Sequence, residues 1–138
     1  ADRATLLAEV VSQLSRRIVA RERSAMTAAS GSGAVDALWT WLEGELARGE
    51  LRILLELGMQ REPAVQTAYT DAALARCRAA DETVEQLFAD LGLVPRMPAK
   101  LLATASIAFM DGLAIDTGRR DPRASFDVFW LALLSLAE

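Results

Sequence analysis

Two segments near the carboxyl end of this sequence are apolar on every side, and they constrain the fold more than any other feature. The segments are Leu101–Ile115 and Phe126–Leu136. Their polar side chains are Thr104, Ser106, Asp111, Asp127 and Ser135. A helix that is apolar all round has to be buried all round. A domain of 138 residues has room for one such central helix, so the second one predicts burial against another molecule.

A symmetric dimer is the economical way to bury both segments, because each can pack against its own copy in a four-helix bundle. The small residues Ala105, Ala108 and Gly112 would permit close approach of two helices. Left at the surface of a monomer, the two segments would form a large apolar patch, which soluble monomers avoid. The alternative is a crowded monomer core in which Gly112 has no special role.

Helical periodicity also dominates the rest of the chain. No run alternates apolar and polar residues over the length of a strand between turn residues. The predicted helical segments are Ala4–Ala29, Ala34–Ala47, Leu51–Gln60, Pro63–Leu91, Pro98–Thr117 and Pro122–Glu138. No repeat, low-complexity tract or second domain is evident. We therefore predict an all-α fold of about six helices, with residues 1–138 forming one domain.

Turn and cap residues separate these segments. The glycines and serines of Ser30–Gly33 end the first segment, and Gly49 breaks the second from the third. Gly92 is placed to end the long fourth segment in the left-handed conformation. Asp121 is the expected N-cap of the last helix, with Pro122 as its first residue.

The residue types that the chain lacks exclude several classes of enzyme and metal site. There is no histidine and Cys77 is the only cysteine, which excludes a Ser-His-Asp triad, a Cys-His pair, a His-ligated zinc site and an intramolecular disulfide. The formal net charge of −4 disfavours DNA binding by this chain alone. No apolar run reaches the roughly 20 residues that a membrane span requires. We predict no catalytic residue, no metal and no cofactor, in a reducing cytoplasmic setting.

Two weaker candidates for chemistry have simpler interpretations. Asp81 and Glu85 lie one helical turn apart and could hold a cation, but charged residues at such spacing usually form a solvated helix face. Cys77 stands between Arg76 and Arg78, which could lower the pKa of its thiol. Because Cys77 falls on the apolar stripe of its segment, a packed and inert thiol is favoured.

The remaining candidates are large, soft side chains on different helices. They are Met26, Trp39, Trp41, Met59, Tyr69, Phe88, Phe109 and Met110. Such residues line apolar ligand pockets when they converge between helices. Ordinary core packing is the alternative for each one. Trp41 lies about 200° round its helix from Trp39, so it has to face another helix, a partner or a cavity.

The first residues carry a resemblance to a known family. The stretch "ADRATLLAEVVSQL" resembles the start of the fourth helix of tetracycline-repressor-like (TetR-family) transcriptional regulators. That helix follows a link of the type K-x-x-L-L-x-x-V after the helix-turn-helix domain. Here Arg3 stands at the lysine, Leu6 and Leu7 at the leucine pair, and Val10 at the valine.

The order of the other segments is also similar to the regulatory half of that family. Glu45–Leu57 resembles the turn from the fifth to the sixth helix, Ser106–Asp116 resembles the eighth helix, and Asp121–Leu134 resembles the ninth. The likeness spans nearly the whole chain, while the family's three-helix DNA-binding domain has no counterpart in it. The resemblance implies that this domain precedes the first residue, or that the chain is a stand-alone effector domain.

The resemblance implies a ligand-sensing homodimer that reaches DNA only through that N-terminal domain. In the family, helices four to eight surround an inducer cavity, and helices eight and nine form the dimer bundle. Carried over to this chain, Leu14–Met26 would be the lever and Leu51–Met59 the sensing element. The expected ligand contacts, with Tyr69 as polar anchor, are Trp41, Leu42, Leu54, Met59, Tyr69, Ala72, Cys77 and Phe109. The expected dimer contacts are Phe109, Leu113, Phe126, Phe129, Trp130, Leu133 and Leu134.

Scarce charges at the expected ligand contacts predict a small, largely neutral, hydrophobic ligand. The first alternative function is a helical protein-protein interaction module that dimerises or binds a partner without any ligand. An enzyme is disfavoured, because solvated carboxylates are its only candidate general bases.

Overall fold

The computed structural model describes residues 2–29, 33–116 and 121–138 of the chain. These residues form six helices and no strand. The helices are α1 (Arg3–Ala28), α2 (Ala34–Arg48), α3 (Glu50–Leu57), α4 (Pro63–Leu91), α5 (Ala99–Ile115) and α6 (Pro122–Leu134). The predicted all-α class with about six helices is confirmed.

The helix ends follow the predicted caps. Gly49 ends α2 at φ 73° and Gly92 ends α4 at φ 67°, a left-handed conformation that glycine adopts without a Cβ penalty. The Asp121 carboxylate accepts a hydrogen bond from the Arg123 backbone N–H at 3.0 Å and so caps α6. The predicted turn at residues 30–32 and the predicted end of the fifth segment at Thr117 lie outside the described residues.

The last helix is shorter than predicted, because the chain end pairs with a loop. The backbones of Val94 and Glu138 exchange two hydrogen bonds, both at 2.9 Å. The Arg96 N–H donates to the Leu136 carbonyl at 2.7 Å. The α4–α5 loop has backbone N–H and C=O groups without partners in a helix, and residues 135–138 supply the hydrogen-bond partners for these groups. The prediction that the helix continues to Glu138 is therefore wrong.

The long helices α1 and α4 pack along each other, and α4 also packs against α5. Apolar stripes on these helices form a core with two buried clusters. The first centres on Val11, Ile18, Leu42, Leu51, Leu54 and Val65. The second centres on Met26, Val84, Leu87, Phe88, Leu102 and Trp130.

Three aromatic pairs attach α6 to the other helices. Phe126 lies 5.2 Å from Trp39 of α2 between ring centroids, and Trp130 lies 6.4 Å from Phe88 of α4. The third pair, Phe129 of α6 and Phe109 of α5, is stacked with centroids 4.3 Å apart. Aromatic pairs at these distances stabilise packing beyond the area that they bury.

A buried ion-pair network ties α1 to the two short helices. The Glu45 side chain of α2 is 0% exposed, and its carboxylate accepts hydrogen bonds from Arg21 at 2.5 and 2.9 Å. Arg21 also donates to Glu50 of α3 at 2.9 Å. The hydrogen bonds to Glu45 raise the pKa of Arg21, and the hydrogen bond from Arg21 lowers the pKa of Glu50. The network therefore fixes the position of α1 relative to α2 and α3.

Candidate functional site

A small cavity lies between α1, α2, α4, α5 and α6. Its wall is mostly apolar and aromatic, and includes Leu38, Leu87, Phe109, Met110, Phe126 and Trp130. Three polar side chains, those of Glu22, Thr83 and Ser106, also border it. About 30 Å³ is available to the centre of a water molecule, which is room for about two waters. An apolar cavity with a few converging polar groups is the usual form of a small-molecule site.

Glu22 is the chemically distinctive group of this cavity. Its side chain lies on α1 and is 5% exposed. The Thr83 hydroxyl of α4 donates a hydrogen bond of 2.6 Å to one of its carboxylate oxygens. Burial raises the pKa of Glu22, and the hydrogen bond from Thr83 and the charge of Arg76 oppose that rise only in part.

An ion pair beside the cavity joins α4 to α5. Arg76 of α4 is buried and donates to the two carboxylate oxygens of Asp111 on α5 at 2.5 and 3.4 Å. Because Asp111 compensates the charge of Arg76, that guanidinium contributes less to the neutralisation of Glu22 than an unpaired arginine would. Glu22 is thus a buried carboxyl group whose charge is only partly compensated, at the border of an apolar cavity.

The stacked rings of Phe109 and Phe129 lie between the cavity and an open groove at the surface. Both rings border the cavity, and both also border an open groove between α5 and α6 that includes Ala124, Val128 and Ala132. A rotation of these two side chains would connect the cavity with the groove. The stacked pair therefore forms the boundary that the cavity and the groove share.

The expected ligand contacts are spread over several parts of the chain. Of the eight residues, Phe109 borders the cavity. Trp41, Leu42, Leu54 and Ala72 lie in the core cluster around Leu51. Met59 is 75% exposed, and the Tyr69 ring covers Gly58 so closely that a Cβ there would clash with it. Ligand binding by any of the eight stays a prediction.

Trp41 satisfies the expectation that it faces another part of the fold. Its ring is buried, and it also borders an open groove between α1 and α2. Its Nε1 atom is buried without a hydrogen-bond partner among the described residues. That groove is separate from the cavity around Glu22.

Cys77 is on the exposed face of α4, so the prediction that its thiol is packed inside is wrong. The preceding residue, Arg76, occupies the inward position and pairs with Asp111. Asp81 and Glu85 lie at the surface or near it. Among the described residues, no group of three or more His, Cys, Asp or Glu side chains could hold a metal ion.

The expected dimer contacts fall into two sets. Phe126, Trp130 and Leu133 are buried in the core of this chain. Phe109, Leu113, Phe129 and Leu134 are half-buried. The outward faces of the same two helices carry the polar residues Thr104 and Asp127 and the apolar or small residues Leu101, Ala105, Ala108, Gly112, Ile115, Ala124, Val128, Leu131 and Ala132. A role in a dimer stays a prediction for all seven expected contacts.

The sequence interpretation missed Glu22, although a signal was present. Ile18, Glu22 and Met26 follow one another at a spacing of four on one helix, so Glu22 occupies a position of the apolar stripe. Because its neighbours Arg21 and Arg23 are also charged, the stretch looks like part of a solvated helix face. A charged residue in phase with a buried stripe is the signal that would identify the site.

Comparisons of the chain with models of known protein families, with curated proteins and with solved structures found no match. Over the residues that the structure describes, none of the helices combines the length and apolar character of a membrane span.

Replacing Glu22 by glutamine is expected to remove a pH-dependent loss of stability. The folded state holds the Glu22 proton to a higher pH than the unfolded chain does, so the free energy of unfolding falls as pH rises from about 4.5 through the raised pKa. At pH values above that pKa, we expect Glu22→Gln to have a melting temperature higher by about 2–5 °C, the shift that about 1 kcal/mol produces. Thermal melts across the pH range measure it.

The matched control is Glu82→Gln, which removes the same charge from an exposed neighbour on α4. We expect its melting temperature to differ from that of the wild type by a constant amount across the same range. A constant difference for Glu22→Gln as well would contradict the assigned burial of an ionisable carboxyl.

Proposed function

We propose that this chain is the effector-binding and dimerisation domain of a bacterial TetR-like transcriptional repressor. In this proposal it senses a small ligand in the cytoplasm, catalyses no reaction and reaches DNA only through an N-terminal helix-turn-helix domain. The sequence resemblance supplies the family. The observation that carries the proposal is the apolar face on the outer sides of α5 and α6, named here the α5–α6 face.

Residues of the α5–α6 face form continuous lines along both helices. On α5 the exposed residues follow spacings of four, three, four and three, which keeps them on one side of a helix. They are Leu101, Ala105, Ala108, Gly112 and Ile115. On α6, Val128 and Leu131 are 69% and 67% exposed. The line on α5 contains no charged residue, and on α6 the exposed Asp127 lies one turn before Leu131 and pairs with Arg123 at 3.1 Å.

A second copy of this chain is the occupant that fits the α5–α6 face best. Around a twofold axis the same residues meet each other, so a mostly apolar face with small residues at its centre complements itself. A Cβ added at Gly112 would meet no atom within 4 Å, which leaves room for a second helix. Large contiguous apolar patches on soluble proteins mark interaction sites.

The three buried members of the expected dimer set also position α6 within its own chain. Phe126, Trp130 and Leu133 hold α6 against its own core and thereby aim Val128 and Leu131 outward. The half-buried pair Phe109 and Phe129 lies at the edge of the groove between the two helices. Direct contacts across the twofold axis are assigned to the outward residues and to this edge.

The effector part of the proposal rests on the cavity and on its contact with α1. A helix of 26 residues is about 39 Å long, so a displacement near Glu22 moves its far end. The network of Arg21, Glu45 and Glu50 adjoins the same part of α1 and links it to α2 and α3. A ligand that binds one position of α1 more tightly than another shifts the equilibrium between these two positions. The size of the shift is set by the difference in affinity, typically about 1–3 kcal/mol.

The second candidate function is a dimerisation module that binds no ligand. The small size of the cavity favours it, because the cavity in this conformation has room for about two waters. In that case Glu22, Thr83 and Ser106 would serve only to hold buried water. Both candidates share the α5–α6 face, and they differ in the response of the chain to small molecules.

A thermal-shift screen with hydrophobic compounds separates the two candidates. A compound that binds only the folded chain at 100 times its dissociation constant stabilises it by about 2.7 kcal/mol. We expect such a rise in melting temperature for at least one chemical class, and we expect it to weaken when Phe109→Trp fills the cavity. A flat response from a dimeric protein across the whole screen would favour the module without a ligand.

A further inference from the structure

We infer that the ion pair between Arg76 of α4 and Asp111 of α5 selects the rotation of α5 about its own axis, and thereby decides which side of this apolar helix is offered to a second copy of the chain. This inference rests on the proposed dimerisation through the α5–α6 face. Neither side chain belongs to that face. The pair therefore acts on the face through the position of α5, and both members are positioning residues.

The apolar residues of α5 do not by themselves select one rotation of the helix. Its buried residues are Leu102, Ala103 and Met110. A rotation by one residue position, about 100°, would bring Leu101, Leu102 and Phe109 to the same three places. Each of these side chains is apolar and about as large as the one that it would replace, or larger. A helix that is apolar all round has no polar side that hydrophobic burial keeps outward.

Two of the polar side chains of α5 also leave its rotation open. The hydroxyl groups of Thr104 and Ser106 donate to carbonyl oxygens one turn earlier on the same helix, at 2.9 and 2.8 Å. Bonds of this kind within the helix form whichever side faces the core. Asp111 differs, because its carboxylate accepts hydrogen bonds from Arg76 of α4 at 2.5 and 3.4 Å. Its partner is therefore available in one rotation of α5.

Rotation by one position would break this pair at both ends. Arg76 is 9% exposed, so loss of its carboxylate would leave a buried guanidinium without a counter-charge, which is strongly unfavourable. Met110 would then occupy the place of Asp111, and Asp111 would occupy the outward place of Gly112. A carboxylate would thus enter the apolar face that two copies share, which burial in a dimer penalises.

A buried ion pair can specify a structure without adding stability. Apolar replacements of a buried pair are often neutral or stabilising, while single buried polar groups can fix the register of helices. The inference therefore predicts a variant that is as stable as the wild type but no longer holds α5 in one rotation. A pair that only stabilised the fold would have the opposite signature.

Single cysteines at two alanines of α5 report its rotation. Ala103→Cys and Ala108→Cys are each placed in a chain that carries Cys77→Ser, to remove the native thiol, and Leu131→Glu, to keep the copies apart. Residue 103 is 1% exposed and residue 108 is exposed. We expect a maleimide to label Ala108→Cys at least about tenfold faster than Ala103→Cys, because thiol reactivity requires exposure. Rotation by one position would bring residue 103 to the exposed place of Thr104.

The decisive variant combines Arg76→Met with Asp111→Leu. We expect its free energy of unfolding in urea to stay close to that of the wild type, while the difference in labelling rate between the two cysteine positions is lost. Arg21→Met with Glu45→Leu is the matched control, because it removes a buried ion pair that does not involve α5. We expect this control to keep the labelling difference. A difference that survives in a folded Arg76→Met, Asp111→Leu chain would overturn the inference.

Two single substitutions serve if the decisive variant fails to fold. Arg76→Lys keeps a positive charge opposite Asp111 and is expected to keep the labelling difference. Asp111→Asn keeps the size of the side chain but removes its charge, and we expect it to reduce the difference. Equal labelling ratios in these two variants would overturn the role given to the ion pair.

Association measured in the chain with Leu131 intact tests the second half of the inference. We expect Arg76→Met with Asp111→Leu to raise the dissociation constant of the dimer about tenfold or more, which corresponds to about 1.4 kcal/mol, because part of the population presents another side of α5. Unchanged association of a variant that has lost the labelling difference would overturn the link between the rotation and the face.

The two measurements fail separately from the proposed function. A wild-type chain that is monomeric at every concentration would overturn the proposed dimer. The labelling rates, measured in the Leu131→Glu chain, would still show whether Arg76 and Asp111 set the rotation of α5. A dimeric wild type whose labelling difference does not depend on the ion pair would keep the proposed dimer and overturn the inference alone.

Discussion

Replacing Leu131 by glutamate is expected to convert the proposed dimer into monomers. We expect the dissociation constant to rise about 100-fold or more, which corresponds to a loss of at least about 2.7 kcal/mol in the free energy of association. Leu131 is 67% exposed in the single chain, so the substitution removes little packing from the monomer. In a twofold dimer it places two carboxylates in the apolar α5–α6 face, where burial of an unpaired charge is costly. Analytical ultracentrifugation over a concentration series measures the change.

Leu74→Glu is the matched control for this prediction. Leu74 lies on α4, is 52% exposed and is outside the α5–α6 face. The control is expected to associate as the wild type does, and both variants are expected to keep the wild-type helix content by circular dichroism. Unchanged association of Leu131→Glu would show that α6 is not part of the interface.

Arg21→Ala is expected to lower the free energy of unfolding by about 3 kcal/mol. The substitution leaves Glu45, which is 0% exposed, without its two hydrogen bonds from the guanidinium. Arg48 lies 3.7 Å from Glu45 and compensates the charge only in part. Urea denaturation measures the loss as a lower midpoint with an unchanged slope.

Two further variants separate the buried charge from lost packing. Arg21→Met combined with Glu45→Leu replaces the ion pair by apolar side chains. We expect this double variant to recover most of the lost stability, because well-packed apolar residues often stabilise a protein as much as the buried ion pair that they replace. Arg23→Ala removes the exposed pair with Glu82 and is expected to cost less than about 1 kcal/mol. Equal losses for Arg21→Ala and Arg23→Ala would contradict the role given to the network.

The helices were predictable from the sequence because their boundaries are set locally. Gly49 and Gly92 adopt the left-handed conformation that few other residues tolerate, and Pro63 and Pro122 begin helices where a missing N–H has no cost. The end of α6 was not predictable in this way. It is set by hydrogen bonds between residues 135–138 and Val94 and Arg96, which are distant in sequence.

The inward face of α4 was harder to predict, because this helix has several neighbours. Over 29 residues α4 contacts α1, α2 and α5, so no single stripe describes its buried side. The apolar pattern favoured Cys77, whereas the partner Asp111 on α5 draws Arg76 inward. An ion pair between helices leaves no periodic signal in the sequence of either one.

The candidate site was only partly predictable for the same reason. The apolar excess of the last two helices indicated an extra surface to be covered, but not the rotation of α6 about its axis. The large rings of Phe126 and Trp130 fill this chain's own core, while the aliphatic Val128 and Leu131 face outward. Glu22 borders the cavity because of its position in the apolar stripe of α1, and its charged neighbours Arg21 and Arg23 made that position hard to recognise.

Sedimentation equilibrium of the wild-type chain tests the central claim, that the α5–α6 face joins two copies of this protein. We expect one species at twice the chain mass of 14.9 kDa at micromolar concentrations. We also expect Leu131→Glu to sediment at the mass of one chain under the same conditions. A wild-type chain that sediments at 14.9 kDa with no dependence on concentration would show that the α5–α6 face does not join two copies.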